Sequence, residues 1–396
     1  MGKVLITGGL ERKTLAAARC LAEFGHEVHV GDSSALAPGL WSRYCKKRIV
    51  YPSTRYEPQK HIAFLKALLL AEKYDFVLPC SEYEVHLYSE HEDELAKLSR
   101  FALPPKDKLI YAMDKAQTNV AARKAGVPNP RTWSPQSESE LDAALAEIKD
   151  LPIVIKPRVA SGARGLSIVK DRALLRETYL QTHGRYAWPV LQEYIPSDEG
   201  GNVTVVILGV KQEVLCAFSY VRLREFPVAA GASTLVESVK RKDQEDIAVK
   251  LLQGIGWTGI GMVEFRRDNR DGVPKVIEIN ERLNASTRLS YLSGVPIPQI
   301  LYELYVDGKA KPVLDYKAGV RCRWLIPADF LHFLANPNRF HLKPSFFNFF
   351  DPDTYDEFID RDDWRPLFFW LLWLMAHSLD PAQWRDFIFR EKSARK

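Results

Sequence analysis

The stretch 153–169, IVIKPRVASGARGLSIV, sets a lysine and a loop of small residues between two apolar runs. Ile153, Val154 and Ile155 are β-branched, Ile168 and Val169 repeat that character, and Gly162 and Gly165 lie between them with Ala160, Ser161 and Ala163. This pattern predicts strand, loop, strand. Residues without bulky side chains let backbone N–H groups approach an anion closely, and Lys156 and Arg164 bring positive charge to the same place. A polyphosphate suits that chemistry. The alternative reading is an exposed hairpin with no ligand.

Composition narrows the field. A chain of 396 residues with 46% hydrophobic residues has material for a large core and for two or three domains. The formal net charge of +5 arises from 55 basic and 50 acidic residues spread along the chain, not from a basic stripe, so no nucleic-acid partner is expected. Cys20, Cys45, Cys80, Cys216 and Cys322 are far apart, which indicates neither a zinc site nor a disulfide framework. With no signal-peptide pattern and no apolar run long enough to span a bilayer, the expectation is a cytoplasmic protein.

In chain order, KVLIT at residues 3–7 predicts a strand, Gly8 and Gly9 a turn, and residues 15–24 a helix that returns into a strand at 27–30. TGGLER lacks the full G-x-G-x-x-G spacing, so glycines that only turn the chain are the favoured reading over a nucleotide fingerprint. A helix over 61–73 and a strand over 76–80 continue the pattern, giving a small parallel sheet covered by helices over residues 1–108. Ser81, Glu82 and Glu84 follow that strand, either facing a ligand or capping a helix. Further on, helices are expected over 139–148 and 172–182, and strands over 190–195, 203–208 and 214–219, an α+β region.

A second constellation pairs GMVEF with VIEIN across the turn run DNRDG. If the two strands form a hairpin, Glu264 and Glu278 face each other, with Asn280 on the face of Glu278. Facing carboxylates repel unless a cation lies between them, and Mg²⁺ is commonly held by one or two carboxylates plus phosphates. A pairing of either glutamate with Arg266 or Arg282 is the structural alternative.

Lys115, VIKPRVASGARG, LQEYI with Glu199 beyond it, and the pair GMVEF and VIEINER occur in an order that resembles the ATP-grasp superfamily. The resemblance covers residues 1–313, including an α/β domain like the one that precedes the catalytic domains of biotin carboxylase and D-alanine ligase. It implies an ATP-grasp fold of two α+β subdomains, 109–190 and 191–315, after the N-terminal α/β domain, with a helical C-terminal extension over 316–396. ATP would lie between the subdomains, its phosphates on Lys115, Lys156 and the loop of Ser161, Gly162, Arg164 and Gly165. Glu193, Tyr194 and Ile195 would border the adenine, and Glu199 would bind the ribose, with Asp198 as the alternative. Glu264, Glu278 and Asn280 match the Mg²⁺ ligands, Mn²⁺ being an alternative ion, and Arg282 matches a residue that steadies the acyl phosphate. Ala163 departs from the family, many of whose members have a loop serine there. Residues 222–236, RLREFPVAAGASTLV, are similar to a group of ATP-grasp carboligases, and Arg222, Arg224, Ser233 and Thr234 would either meet a carboxylate or the transferred phosphoryl group or be ordinary polar groups on a strand surface.

The expected activity is an ADP-forming carboxylate–amine ligase acting on small molecules through an acyl phosphate, with Arg282, Lys156 and Arg222 as catalytic residues. The competing readings are an NAD(P)-dependent oxidoreductase using the TGG turn and a nucleotide-binding protein without turnover. An oligomer is compatible with either. Beyond the resemblance, residues 364–376 (WRPLFFWLLWLMA) predict an apolar helix too short to span a bilayer. It packs on the core or a partner subunit, or lies at the inner membrane face, where Trp370, Trp373 and Trp384 suit the lipid boundary and Arg385, Arg390, Lys392, Arg395 and Lys396 could meet anionic headgroups.

Overall fold

The computed structural model describes residues 1–160, 164–228 and 231–378. Three sheets organise them. The first holds β1 (Lys3–Thr7), β2 (Glu27–Asp32), β3 (Lys47–Val50), β4 (Phe76–Pro79) and β5 (Arg100–Phe101) in the order β3-β2-β1-β4-β5, all parallel. Its strands are short and apolar because helices cover them, as parallel sheets require. The helix Arg12–Glu23 follows β1 directly and buries Leu15, Ala18 and Leu21. The second sheet is antiparallel, β6 (Thr132–Trp133), β7 (Ile153–Lys156), β8 (Ser167–Val169) and β9 (Val190–Glu193), in the order β6-β9-β7-β8.

The third sheet has seven strands: β10 (Asn202–Leu208), β11 (Val214–Phe226), β12 (Ala232–Ser238), β13 (Gly259–Arg267), β14 (Pro274–Asn280), β15 (Arg321–Arg323) and β16 (Thr354–Asp356). Their order is β14-β13-β10-β11-β12-β15-β16, antiparallel except for the last pair. Alternation along β10 divides the core. Val203, Val205 and Ile207 pack with Val4, Ile6 and Val28 of the first sheet and with Ile300 and Leu301, whereas Val206 and Leu208 pack with Leu251, Leu252 and Trp257 on the other face. Each such buried aliphatic side chain contributes about 1.5–3 kcal/mol relative to exposure. The first and third sheets thus share one continuous core, while the second has its own around Leu141, Ile155, Leu175 and Tyr179.

The segment after residue 315 is more than a helix, since it supplies β15 and β16 to the platform sheet. Its apolar helix, Arg365–Ser378, lies on the N-terminal unit: Phe369 stacks on Trp41 at 3.7 Å between centroids, and Trp370 is 5% exposed between Phe358 and Trp373. Trp364 and Phe368 stay exposed. No helix among the described residues is long and apolar enough to cross a membrane. Trp384 and the basic residues from Arg385 onward lie outside the described residues.

Candidate active site

The hairpin of β13 and β14 aligns Glu264 directly opposite Glu278, with Asn280 opposite Met262. Period two puts all four on one face, the face on which Met262 joins the core shared with the N-terminal unit. The Asn280 amide nitrogen lies 3.4 Å from Glu264 Oε1 and 3.4 Å from Glu278 Oε1, in the gap between the two carboxylates. Among the described residues no group of three His, Cys, Asp or Glu could hold a metal by itself. Two carboxylates and an amide oxygen fit Mg²⁺ only when phosphate oxygens complete its shell.

Two lysines reach this face from different elements. Asp114 caps the helix Lys115–Lys124 by accepting from Ala116 N–H at 2.8 Å, and its carboxylate also pairs with Arg158. That double engagement ties the helix start to the β7–β8 loop, and Lys115 N–H donates to Arg158 O at 3.0 Å. Lys115 Nζ consequently donates to Ala160 O at 2.5 Å and stands 3.5 Å from Glu278 Oε2. Lys156 ends β7 and is 5% exposed; burial, offset in part by Glu278, pushes its pKa down to about 8. Burial also works against ionisation of Glu278, but Lys115 and Lys156 outweigh it and hold the carboxyl below its ordinary value. Glu264 has the opposite balance: burial raises its pKa despite Arg222, whose Nη2 donates to Glu264 Oε1 at 2.6 Å.

The other expected residues divide. Arg282 follows β14, with Glu82 Oε2 4.0 Å away. Arg164 and Gly165 form the turn into β8, and Gly165 requires glycine, having φ +68° and a Cβ position 2.6 Å from the Tyr186 ring. Ser161 and Gly162 lie outside the described residues. Glu193 turns its carboxylate to Arg270 at 2.6 Å and to the Arg131 N–H at 3.1 Å, and its own N–H donates to Arg131 O at 2.8 Å. Ile195 is buried and its carbonyl accepts from Arg266 Nε at 3.1 Å, with the Tyr194 ring under the same guanidinium. Glu199 is held by Arg241 at 2.9 Å, and Asp198 accepts from Asn269 at 3.3 Å.

Arg224 and Thr234 are engaged elsewhere than expected. Arg224 donates through Nε and Nη2 to the Asp329 carboxylate at 2.8 and 2.9 Å, Thr234 donates to it at 2.8 Å, and Arg323 at 2.6 Å. A fully buried carboxylate needs such partners, and the C-terminal segment that brings it was not readable from the strand alone. Ser81 and Glu84 form a reciprocal cap at the start of the helix Glu82–Glu90. Glu84 is buried, which raises its pKa to about 7, and accepts from Tyr51 at 2.6 Å. The residues missed in the sequence are Arg12, Lys13, Trp324 and Glu357; the basic pair after TGGLE was visible, but only the glycine spacing drew weight.

Residues 112–286 match the family model described as the ATP-grasp domain, and this segment of the chain is an ATP-grasp domain. Pyruvate carboxylase of Bacillus subtilis is 27% identical over 210 residues, 50% of this chain and 18% of that protein. An uncharacterized protein of Sinorhizobium fredii is 28% identical over 207 residues, 50% of this chain and 40% of that one. The chain thus spans less than half the length of either relative. Among solved structures, a biotin carboxylase of Campylobacter jejuni superposes with a TM-score of 0.68 at 18% identity, over 81% of this chain and 74% of that one. An N5-carboxyaminoimidazole synthetase of Staphylococcus aureus gives 0.62 at 16% identity, over 81% and 80%. These likenesses are of fold.

Proposed function

We propose that this chain is an ATP-dependent ligase that activates a small-molecule carboxylate as an acyl phosphate and passes the acyl group to an amine, releasing ADP and phosphate. The observation that carries it is the meeting of Lys115 and Lys156, from two separate elements, on a face that also presents Glu264, Glu278 and Asn280. Two cations and two carboxylates suit a metal-bound polyphosphate: the lysines compensate phosphate charge and the carboxylates hold the ion. When bound, Mg²⁺ would neutralise charge building on the transferred phosphoryl group. Lys156 and Lys115 bind and align the phosphates, Arg222 and Arg282 orient the carboxylate for in-line attack, and the loop between β7 and β8 keeps water from an intermediate that hydrolyses readily.

The ATP site in this reading uses residues 109–190 and 191–315 as its two walls, with Glu193, Tyr194 and Ile195 at the base and Glu199 at the ribose. Ribose binding asks Glu199 to exchange its Arg241 contact for hydroxyl groups. The oxidoreductase reading loses support at the N-terminal turn. Asp32 accepts from Leu10 N–H and Ser34 N–H at 2.8 Å each, and Gly39 N–H donates to Gly9 O at 2.9 Å, so the turn is covered by its own chain.

The test is chromatography of spent nucleotide with phosphate detection, over a matrix of acids and amines with MgATP. ADP and phosphate formed in step with an amide product support the reading; AMP and pyrophosphate would exclude an acyl phosphate. A cytoplasmic site and a peripheral membrane contact through the C-terminal helix belong to the same proposal, the contact being measured by co-sedimentation of the full chain with anionic liposomes at low salt.

A further inference from the structure

The N-terminal sheet reverses its order at β1: β2 and β3 extend on one side, β4 and β5 on the other. Ligands of open parallel sheets lie beyond the C-terminal ends of strands flanking such a switch point. Arg12 and Lys13 start the helix that follows β1, and Lys13 feels both the groups just after β4, Cys80 and Glu84, and Arg282 from beside the phosphate site. Glu82, just after β4, lies 4.0 Å from Arg282, and His86 lies 2.8 Å from Glu281, so the crevice of the first sheet and the face of the third meet here.

These three cations have few partners. Lys13 is 2% exposed, its closest carboxylate oxygen is Glu11 Oε2 at 3.7 Å, and its ammonium makes no hydrogen bond among the described residues. The Arg12 side chain is 10% exposed, sits 4.1 Å above the Trp324 ring and is 3.9 Å from Glu357 Oε1. Arg282 has Glu82 at 4.0 Å. Glu11, about half exposed, is the acid that all three share electrostatically. The Trp324 indole N–H and both Glu357 oxygens are buried with no hydrogen-bond partner among the described residues. A buried ammonium without a hydrogen-bond acceptor, as Lys13 is, is costly, and an anion that accepts from it relieves that cost, while Glu357 faces Arg12 as its counter-charge.

We propose that Arg12 and Lys13, beside Arg282, form a second anion subsite that receives a carboxylate or phosphate group of a substrate other than the carboxylate being activated, and that Trp324 positions Arg12 for it. The assignment to a substrate rests on the ligase reading; the binding of an anion does not. The group is a second acid function on the activated acid or the acid function of an amino-acid acceptor. Trp324 lies beyond the ATP-grasp segment, so the C-terminal extension takes part in choosing the substrate.

The test is thermal melting of the nucleotide-free full chain titrated with glutarate against butyrate, β-alanine against propylamine, and inorganic phosphate. Wild type should half-saturate roughly tenfold lower with at least one of glutarate, β-alanine or phosphate than with the uncharged-end counterpart or with chloride at equal ionic strength. A glutarate preference places the group on the acid, a β-alanine preference on the acceptor, and a phosphate preference makes it a phosphoryl group. Lys13→Met and, as a second variant, Arg12→Gln should each abolish the preference while MgATP affinity is unchanged. Trp324→Phe should keep it and Trp324→Leu weaken it several-fold. No preference in wild type, or one that survives both cation variants, overturns the subsite, and equal binding by the two Trp324 variants overturns the positioning role. MgATP titration of wild type judges the ligase reading separately, since its failure would leave Lys13-dependent anion binding intact.

Discussion

Replacing Lys156 by methionine should stabilise the empty protein and disable the nucleotide site at once. Methionine keeps the length and apolar stem of the lysine, so the buried position at the end of β7 stays filled. What is removed is an ammonium that burial disfavours: its pKa falls from an ordinary 10.5 to about 8. The unfolded chain therefore holds this proton more tightly than the folded one between those values, and stability rises with pH across that window. Integrated over the window at about 1.4 kcal/mol per pH unit, the cost carried at pH 7 is about 3 kcal/mol. The variant recovers most of it.

The assay is thermal or urea unfolding in EDTA, without nucleotide, at pH 7 and at pH 10. Wild type should gain on the variant as pH rises, the gap closing from about 3 kcal/mol toward zero. In parallel, ATP affinity should fall roughly 10–100-fold, the range expected for loss of one charge-assisted contact of about 1.5–3 kcal/mol. Wild-type affinity should itself decline above pH 8, because bound phosphate raises the lysine's pKa and binding there takes up a proton. A variant less stable than wild type at pH 7, or one with unchanged ATP affinity, would refute the reasoning.

The two site glutamates should behave differently without metal. Glu264→Gln leaves the half-buried Arg222 with Glu225, 3.6 Å away, as its remaining acid among the described residues and should cost about 1–3 kcal/mol in urea unfolding, whereas Glu278→Gln relieves repulsion while loosening Lys115 and should change stability far less. Both should lose turnover and Mg²⁺ dependence together. Asp329→Asn removes the shared counter-charge of Arg224 and Arg323 and should destabilise by about 3–5 kcal/mol in the same assay, with no direct effect on ATP affinity in the protein that remains folded.

The elements legible in the sequence were those whose pattern is local. The β13–β14 hairpin announced itself through DNRDG between two alternating runs, and its register put Glu264 against Glu278 as expected. The strand carrying Lys156 and the strand after its loop were equally plain. Side-chain partners were not, because they come from distant segments: Glu193 meets Arg270, Glu199 meets Arg241, and Arg224 meets Asp329 across 105 residues. Nor did strand periodicity reveal that β11 runs through to Phe226, since RLREF mixes charge and apolar character where the strand leaves the core. The apolar helix was read correctly as apolar, but only the tertiary structure supplies Trp41 as its stacking partner.

The part of the chain beyond the ATP-grasp segment is built into the site's foundation. Without β15, β16 and the segment that follows β15, the edge of β12 would present unpaired N–H and C=O groups, and Asp329 would no longer cover Arg224. One buried guanidinium, Arg224, released from its acid costs about 3–5 kcal/mol by analogy with a broken buried pair, and the core loses Tyr316, Val320 and Cys322 as well, against a total stability of roughly 5–15 kcal/mol. A chain ending at residue 315 should therefore fail to fold even though it keeps both lysines and the Glu264–Glu278 pair. Its partial rescue by exchanging Arg224 for methionine would trace the failure to the stranded charge. A chain of that length that melts cooperatively near the full-length temperature, with ATP affinity intact, would show that the platform sheet stands without its last two strands.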